Sequence, residues 1–457
     1  MAALTVTNWF GDIVSHPKVI VDAQTVDDIV AVMKNPAKYP SPVRAVGSNH
    51  STSACGVADG GTLIRMKMNR ILNIGSDALT VEAGAIHIDL AQELEKHNLQ
   101  FYVNTEIGSL TAGAAACAGT KDASMPGEYG QVGSYVIGVK LVLPNGELLE
   151  VTEEKDADLL SKIRSSYGTF GIVYEVTYRI RPLVRLAVHH KTYTLADFQS
   201  TLKDLIALDY SMMYYTFPFE DKITIEFRKY NPNVAGDPNR VAWALRNHTW
   251  AVSGPKLAHN VGQDISIKSI RYGVIDASNA AWRFQLENLV VSDNTMPADQ
   301  IIRYPPVSND SRYTFSLFAF PEEQFAQTLG EFFQFCRDYY KQTGYRSDLL
   351  YVGYRILKDQ KAWLSYSWNG NVMTIDPVST GNPGWTEYLT AYNEWCIGRN
   401  GIPLLNQTDG LTPAMLQNAL GDRLTGVEET RQKFDPNGRL LNDYFKNLLA
   451  VALVARA

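Results

Sequence analysis

From Gly108 to Gly119 the chain reads Gly-Ser-Leu-Thr-Ala-Gly-Ala-Ala-Ala-Cys-Ala-Gly, a dozen residues with almost no side-chain bulk. Such a stretch offers little apolar surface to a core, so few arrangements use it. One is an Ala/Gly helix packed very closely on a neighbour. The other is a backbone approached by a large planar or anionic ligand, where missing Cβ atoms leave N–H groups facing that ligand. A second unusual stretch lies upstream: Arg44-Ala-Val-Gly47-Ser48-Asn49-His50-Ser51 runs a short apolar strand into a loop of small and polar residues. That loop is either a plain connection or a concave turn whose backbone N–H groups cradle a phosphate. His50 stands at its tip.

Length and charge narrow the classes. A chain of 457 residues exceeds one ordinary core, so two domains, possibly interleaved, are expected. A formal net charge of -6 and the lack of any Lys/Arg run exclude a nucleic-acid polyanion as partner. The N-terminus has neither a basic region nor an apolar stretch suited to a signal peptide, and no run approaches about 18 uninterrupted apolar residues. A soluble, cytoplasmic protein with no membrane span is therefore the expectation. Cys55, Cys117, Cys336 and Cys396 are far apart, without CxxC or Cys/His spacing, so neither a metal site nor a disulfide framework is expected.

In chain order, Thr25-Val-Asp-Asp28 reads as a capping box opening a helix through Met33, ahead of a strand at 43–46. Residues 61–68 and 78–83 alternate as strands, and a helix spans about 88–97, flanked by His87 and His97, each read as a cap or surface residue. Residues 135–143 and 147–152 form a hairpin across Asn145-Gly146, the favoured pair for a type I′ turn. A helix at about 156–164 leads to Gly168-Thr-Phe-Gly171-Ile172, a turn feeding an alternating strand to Ile180. Beyond Pro182 the texture changes. A Thr194-capped helix to about Ala207 precedes a strand pair, 212–219 and 222–228; 231–306 is irregular, with helical pieces around 280–289. A strand at 312–320, a helix at 321–341 with Pro near N1, and strands at 349–356 and 362–368 complete an α+β sandwich pattern. Phe434-Asp-Pro-Asn-Gly438 is a turn before a last helix.

Arg44-x-x-Gly47-x-x-His50-Ser51, the small-residue loop at 108–122 and Gly168-x-x-Gly171-Ile172-Val-Tyr174 occur in that order. Together they resemble the FAD-binding domain of the vanillyl-alcohol oxidase family, the PCMH type, over about residues 10–184, and the size and spacings look most like its sugar-lactone and alditol oxidase branch. The resemblance implies an α+β chain: a PCMH-type FAD-binding domain of two small α/β subdomains (1–184), an α+β substrate domain with an antiparallel sheet (185–420), and a segment returning to the flavin domain (421–457). It implies FAD held by Arg44, Val46, Gly47, Ser48, Asn49, His50 and Ser51, with Ser109, Thr111, Gly113, Ala118, Gly119 and Thr120 lining the pyrophosphate and ring. Gly168, Gly171 and Ile172 would meet the adenine or ribose end. His50 falls where many members bond the flavin covalently; unbonded, it caps the loop.

The departures concern substrate. The branch usually reads Gly-Thr-His-Gly in the second loop, whereas this chain has Gly119-Thr120-Lys121-Asp122. Its sugar oxidases carry Glu-x-Arg before an aromatic-Leu-Ser segment; here Gly353-Tyr354-Arg355 precedes Trp363-Leu-Ser365, and Leu404-Leu-Asn406-Gln407 stands against their His-Trp-Gly-Lys. Candidate catalytic groups are therefore Arg355, Tyr354 and Gln407, with Glu226 and Arg228 as a second set. Each arginine reads equally as part of a structural ion pair. The activity implied is an FAD-dependent oxidase taking a hydride from a CH–OH group of a small alcohol, polyol or lactone and reducing O2 to H2O2. The alternatives are a dehydrogenase with another acceptor, or acting on a CH–NH or C–C bond, and a flavin-binding protein with vestigial activity.

Overall fold

The computed structural model describes residues 4–454, so the outer ends of the expected first and last domains, residues 1–3 and 455–457, lie outside the described residues. Near the N-terminus, Val19–Ala23, Thr62–Met66 and Val43–Val46 form a three-stranded parallel sheet with Thr62–Met66 central. The helix Val26–Lys34 connects two of these strands, and both halves of the Thr25/Asp28 capping box are present. Its apolar stripe, Ile29, Val32 and Met33, packs against Ala23, Val43 and Ile64. This packing fixes the direction in which Val43–Val46 runs out into the loop at 47–51.

A second sheet is antiparallel and runs Leu148–Thr152, Val136–Val142, Ile172–Pro182, Ala78–Glu82, Ile71–Ile74, with Leu99–Phe101 added at the far end of Ile172–Pro182. The small-residue stretch becomes a short helix, Ala112–Cys117, capped by Thr111 and seated on this sheet, where Tyr178 donates to Ala112 O at 2.6 Å. The 136–152 hairpin does not close with a type I′ turn: Gly146 has φ +83 but Asn145 is not left-handed, and Leu143 pairs with Glu147 around a three-residue loop.

The third sheet has eight antiparallel strands in the order Ser292–Thr295, Leu186–Thr194, Lys222–Tyr230, Ser211–Phe217, Tyr351–Ile356, Val372–Ile375, Phe318–Pro321, Ile402–Pro403. Both faces are covered, and every residue of Ser211–Phe217 is buried. Because side chains alternate, Met212, Tyr214, Ile225 and Phe227 pack under the helices Leu195–Ala207, Phe325–Thr343 and Trp385–Ile397. Met213, Tyr215, Val352 and Tyr354 point to the opposite side, with Trp243 and Trp282. That division decides which strand residues reach the site.

Several elements differ from expectation. Residues 231–306 are largely helical, with Arg240–His248, a π-helical turn Thr249–Ser253, Gly254–Asp264 and Lys268–Asn288; scattered polar residues hide their periodicity. The strand at 312–320 is two short strands, and Pro321 ends the second; the helix starts at Phe325 after a 3-10 turn. Residues 362–368 form turns, because Ser365 and Ser367 accept from the Gln131 side chain instead of entering a ladder. His87 is fully buried and stacked on Phe101, whereas His97 is the exposed C-cap of His87–Lys96.

Candidate functional site

The loop at 47–51, the helix Ala112–Cys117 with the residues after it, and the turn at 167–173 converge on one large cavity. Its empty volume is about 1620 Å³, including its open mouth. Gly47 permits the convergence: a Cβ there would overlap the Thr111 hydroxyl, which caps the helix. Asn49 takes a left-handed backbone conformation, φ 55, which folds the loop back on itself. None of the backbone N–H groups of Gly47, Ser48, Asn49, His50 or Ser51 finds an acceptor among the described residues. They form a concave set of donors, as an anion requires.

Arg44 strengthens the case for an anion. Its guanidinium is buried at the cavity wall and donates to the carbonyls of Cys55 (3.0 Å), Leu440 (3.0 Å) and Tyr167 (2.5 Å), with no carboxylate paired to it among the described residues. Burial lowers its pKa to about 10, so it stays cationic. An uncompensated buried cation is costly, and a bound anion offsets that cost. These groups also lock the chain's tail onto the loop: Val43 N–H donates to Arg439 O at 2.9 Å, and Asn442 Nδ2 donates to Ala54 O at 2.8 Å.

His50 lies between Trp9 and Tyr304, with its ring edge-on to Tyr304 at 4.6 Å. It is largely buried, which lowers its pKa to about 4 and keeps the imidazole neutral near pH 7; Nδ1 has no hydrogen-bond partner. A neutral, unpartnered imidazole at the cavity wall retains its nucleophilic lone pair. Cys117 also lines the cavity, but burial pushes its thiol up to about 12 and keeps it protonated.

Of the residues expected to hold a flavin, Arg44, Val46, Gly47, Ser48, Asn49, His50, Ser51, Thr111, Gly113, Ala118, Thr120, Gly168, Gly171 and Ile172 line the cavity. Ser109 and Gly119 do not: Ser109 accepts from Tyr304 N–H at 2.9 Å, and Gly119 is folded against Leu404. Unpaired N–H donors, a buried guanidinium with no carboxylate partner, and the small residues Gly47, Gly113, Ala114 and Ala118 along one wall fit the dinucleotide of FAD.

The candidate catalytic residues separate. Tyr354 and Gln407 line the cavity. Arg355 does not, because the next residue along a strand faces the other way; it pairs with Glu322 at 2.5 Å. Gly353 lies on that same far face, where a Cβ would overlap the Tyr214 ring, so no side chain at 353 could have served the site. Glu226 and Arg228 are on the correct face, but two strands back. His190, Glu226, Met213 and Tyr354 are cross-strand neighbours in one row. Glu226 bonds His190 at 2.9 Å and Arg228 at 2.5 Å, and Arg228 reaches Asp122 at 2.6 Å. This buried chain anchors the loop that carries Lys121.

Facing the cavity is a polar cluster of which sequence reading named only Tyr354 as a catalytic candidate. Glu106 accepts from Tyr354 OH at 2.5 Å and from Arg246, whose guanidinium also donates to Tyr215 OH at 2.8 Å. Lys121 Nζ lies 3.1 Å from Asp376 Oδ2 and 3.6 Å from the centre of the Tyr354 ring. Glu106, Lys121, Tyr354 and Asp376 all line the cavity. Burial raises Asp376 to about 6, against the lowering effect of Lys121, and its Oδ1 has no partner. Burial also pushes the Tyr354 phenol far above its ordinary range, so it remains a donor. The one available signal was acidic or basic residues in otherwise apolar or small surroundings, as at Thr374-Ile-Asp376-Pro377.

The chain is similar to known proteins over part of its sequence and in its overall fold. Residues 17–152 match the FAD binding domain family. L-gulonolactone oxidase of Bos taurus is 25% identical over 223 residues, 48% of this chain and 50% of that protein. L-gulono-1,4-lactone dehydrogenase of Mycobacterium tuberculosis is 26% identical over 218 residues, 47% of this chain and 50% of that one. The matched region thus spans about half the length of these curated relatives. In overall fold, cholesterol oxidase from Brevibacterium sterolicum superposes with a TM-score of 0.71 at 14% identity, covering 98% of this chain and 97% of that one. The mixed α+β fold is shared over the whole chain, and no helix among the described residues is long and apolar enough to cross a membrane. Residues 17–152 thus match an FAD binding domain, and about half of the chain is similar to FAD-linked oxidases and dehydrogenases.

Proposed function

We propose that the protein is an FAD-dependent oxidase that converts a CH–OH group to a carbonyl and reduces O2 to H2O2. The observation that carries this reading is one cavity walled by both the unpaired N–H cradle at 47–51 and the buried Glu106–Tyr354, Lys121–Asp376 cluster. Bound FAD supplies the two-electron acceptor for the hydride and returns those electrons to O2.

The chain's own residues handle the proton. Asp376 is assigned as the base because it lines the cavity, its Oδ1 has no hydrogen-bond partner, and its Oδ2 is held by Lys121. Lys121 keeps the carboxylate ionised and, once the proton has moved, is the nearest positive charge to the developing oxyanion. Tyr354 is fixed by donating to Glu106, and Arg246 neutralises that carboxylate, so this pair orients the substrate oxygen without competing for its proton. Arg228 and Glu226 position the 118–122 loop and do not touch substrate.

His50 is proposed to bond FAD covalently through a ring nitrogen and a methyl group of the flavin, because it is neutral, largely buried and lacks a hydrogen-bond partner at Nδ1; the new N–C bond would replace one methyl C–H bond, its proton going to solvent and its electron pair, through the flavin, to O2. Acid precipitation tests this: yellow colour stays with the pellet of the unmodified protein and passes to the supernatant in His50→Ala. Colour released from the unmodified protein refutes the bond.

A second reading, a dehydrogenase using a quinone or other acceptor, draws support from relatives at similar identity that are named dehydrogenases. Anaerobic bleaching by an alcohol followed by oxygen consumption on readmitting air supports the oxidase. Bleaching without oxygen uptake, but with rapid dye reduction, supports the dehydrogenase, and no bleaching by any alcohol, lactone or amine leaves only flavin binding.

A further inference from the structure

We propose that the substrate is an alcohol with a long apolar body bearing an acceptor oxygen near its far end, and that this body occupies a second chamber behind Trp250. The proposal rests on the reading of the main cavity as an alcohol-oxidising site. The second chamber has an empty volume of about 720 Å³ and lies among the helices Gly254–Asp264 and Lys268–Asn288 and residues 348–350. It shares three walls with the flavin cavity: Trp250, Tyr313 and Val378. The two cavities are therefore adjacent, and in this proposal a molecule whose hydroxyl meets Asp376 passes these residues to enter the second.

Its chemistry is not that of a polyol subsite. Its wall is largely apolar, with Pro255, Leu257, Ala258, Ile275, Trp282 and Leu349 among its residues, and its polar side chains are few, chiefly Thr249, Ser278, Asn279 and Gln285. The one carboxylate there, Asp348, is already engaged by Ser379 and by the N–H and hydroxyl of Thr380. Such a wall offers too few polar partners to satisfy the several hydroxyls of a polyol, whereas burying hydrocarbon against it is favourable. A volume of this size suits a ligand-sized body.

Two polar groups stand out. Trp282 Nε1 and Gln285 Nε2, on one helix and both on chamber residues, are buried donors without an acceptor. An acceptor oxygen at that wall would satisfy them, which is the reason for placing one at the remote end of the substrate. Trp250 sits on the π-helical turn Thr249–Ser253, edge-on to Tyr313 at 5.8 Å and 6.1 Å from Trp282. Inserted residues of this kind recur at functional sites. Here the turn sets the partition between the two chambers. Leu257 and Ala281, both exposed, leave the chamber's outer side apolar as well.

The test uses the FAD-loaded protein, methyl octyl ketone as a binding probe, and n-butanol and n-decanol as substrates. Binding is followed by intrinsic tryptophan fluorescence, since Trp250 and Trp282 face the probe. We expect saturable quenching by the ketone, kcat/KM at least about tenfold higher for n-decanol than for n-butanol, and a fall in both the ketone affinity and that ratio in Ser278→Phe. Gln285→Leu should weaken the ketone without weakening a plain alkane such as decane. If Ser278→Phe fails to fold, the ketone titration and alcohol ratio of the unmodified protein still decide. Absence of saturable quenching, quenching unaltered in Ser278→Phe, or xylitol oxidised in preference to n-decanol overturns the proposal. Ketone binding without bleaching by any alcohol, lactone or amine would refute the oxidase reading while the chamber stands; bleaching without ketone binding would do the reverse.

Discussion

Replacing Lys121 by Met tests the assignment of Asp376 as base, because the structure fixes the direction of the effect. Burial raises the Asp376 carboxyl and Lys121, 3.1 Å away, lowers it, the balance being about 6. A base works only when deprotonated, so kcat/KM is present above this pKa and lost as pH falls through it. With a pKa of about 6, roughly nine-tenths of Asp376 is ionised at pH 7 and about one-tenth at pH 5, a fall of about tenfold in kcat/KM. Removing Lys121 deletes both a hydrogen bond and a positive charge. Even with the screening of bulk water, unit charges about 4 Å apart interact by ~1 kcal/mol, close to one pH unit, and a buried pair is screened less. The acid limb of Lys121→Met should therefore move up by about one pH unit or more. The assay is kcat/KM against pH under anaerobic bleaching, which isolates the step before any acceptor is reduced. A limb that stays near pH 6, or moves down, refutes Asp376 as the titrating base. Asp376→Asn should lose about 100-fold or more across the whole range, with no limb left to shift.

Other outcomes follow from single contacts. Gly47→Ala drives a methyl group into Thr111 and should lower stability by about 1–3 kcal/mol, seen as a reduced melting temperature together with loss of bound FAD; an unchanged melt would mean that the loop yields. Arg44→Met leaves the carbonyls of Cys55, Tyr167 and Leu440 without their buried donor, so a loss of ~3 kcal/mol or more is expected in urea unfolding, with release of the C-terminal segment to protease. Glu226 is raised by burial but lowered further by Arg228 and His190, so its folded pKa lies below the unfolded one. Its stabilisation is present above the unfolded carboxyl range and disappears as pH falls. Glu226→Gln should thus cost about 3–5 kcal/mol near pH 7 and less near pH 3, where the unfolded carboxyl is protonated but the folded one is still ionised, by denaturation at both pH values.

The flavin side of the site was legible because its requirements are local. A cradle of N–H groups needs small residues in sequence, and 44–51 and 108–119 show them directly. The helix at Val26–Lys34 was equally readable, since its cap and stripe lie within one segment. The substrate side depends on which face of a strand a residue occupies, and on register between strands far apart in the chain. Gly353-Tyr354-Arg355 has the spacing of a paired motif, yet only its middle residue reaches the cavity, because the strand turns the outer two under Phe325–Thr343. Glu226-x-Arg228 has the same spacing on the opposite face. No local pattern distinguishes the two; the pairing Met213↔Tyr354 with Met213↔Glu226 does.

The same reasoning explains why the substrate side departs from a polyol site as a unit. The sheet row that could carry hydroxyl-gripping groups is closed by an internal network in which Glu226 is committed to His190 and Arg228, and Arg228 to Asp122. Glu106 is committed to Arg246 and Tyr354. The buried carboxylates near the cavity are thus engaged by protein partners, except at Asp376 Oδ1. A single free carboxylate oxygen suits one substrate hydroxyl. The remaining contact surface toward Trp250 and Tyr313 is aromatic, and rewards carbon. Restoring sugar-like specificity would therefore need more than the missing Glu and Lys. A Glu introduced at 353 would meet the Tyr214 ring on the wrong face of the strand, so Gly353→Glu should unfold or destabilise the sheet without raising turnover of xylitol. A gain in xylitol turnover from that substitution would show that the strand can present its other face, and would undo the assignment of Tyr354 to the cavity.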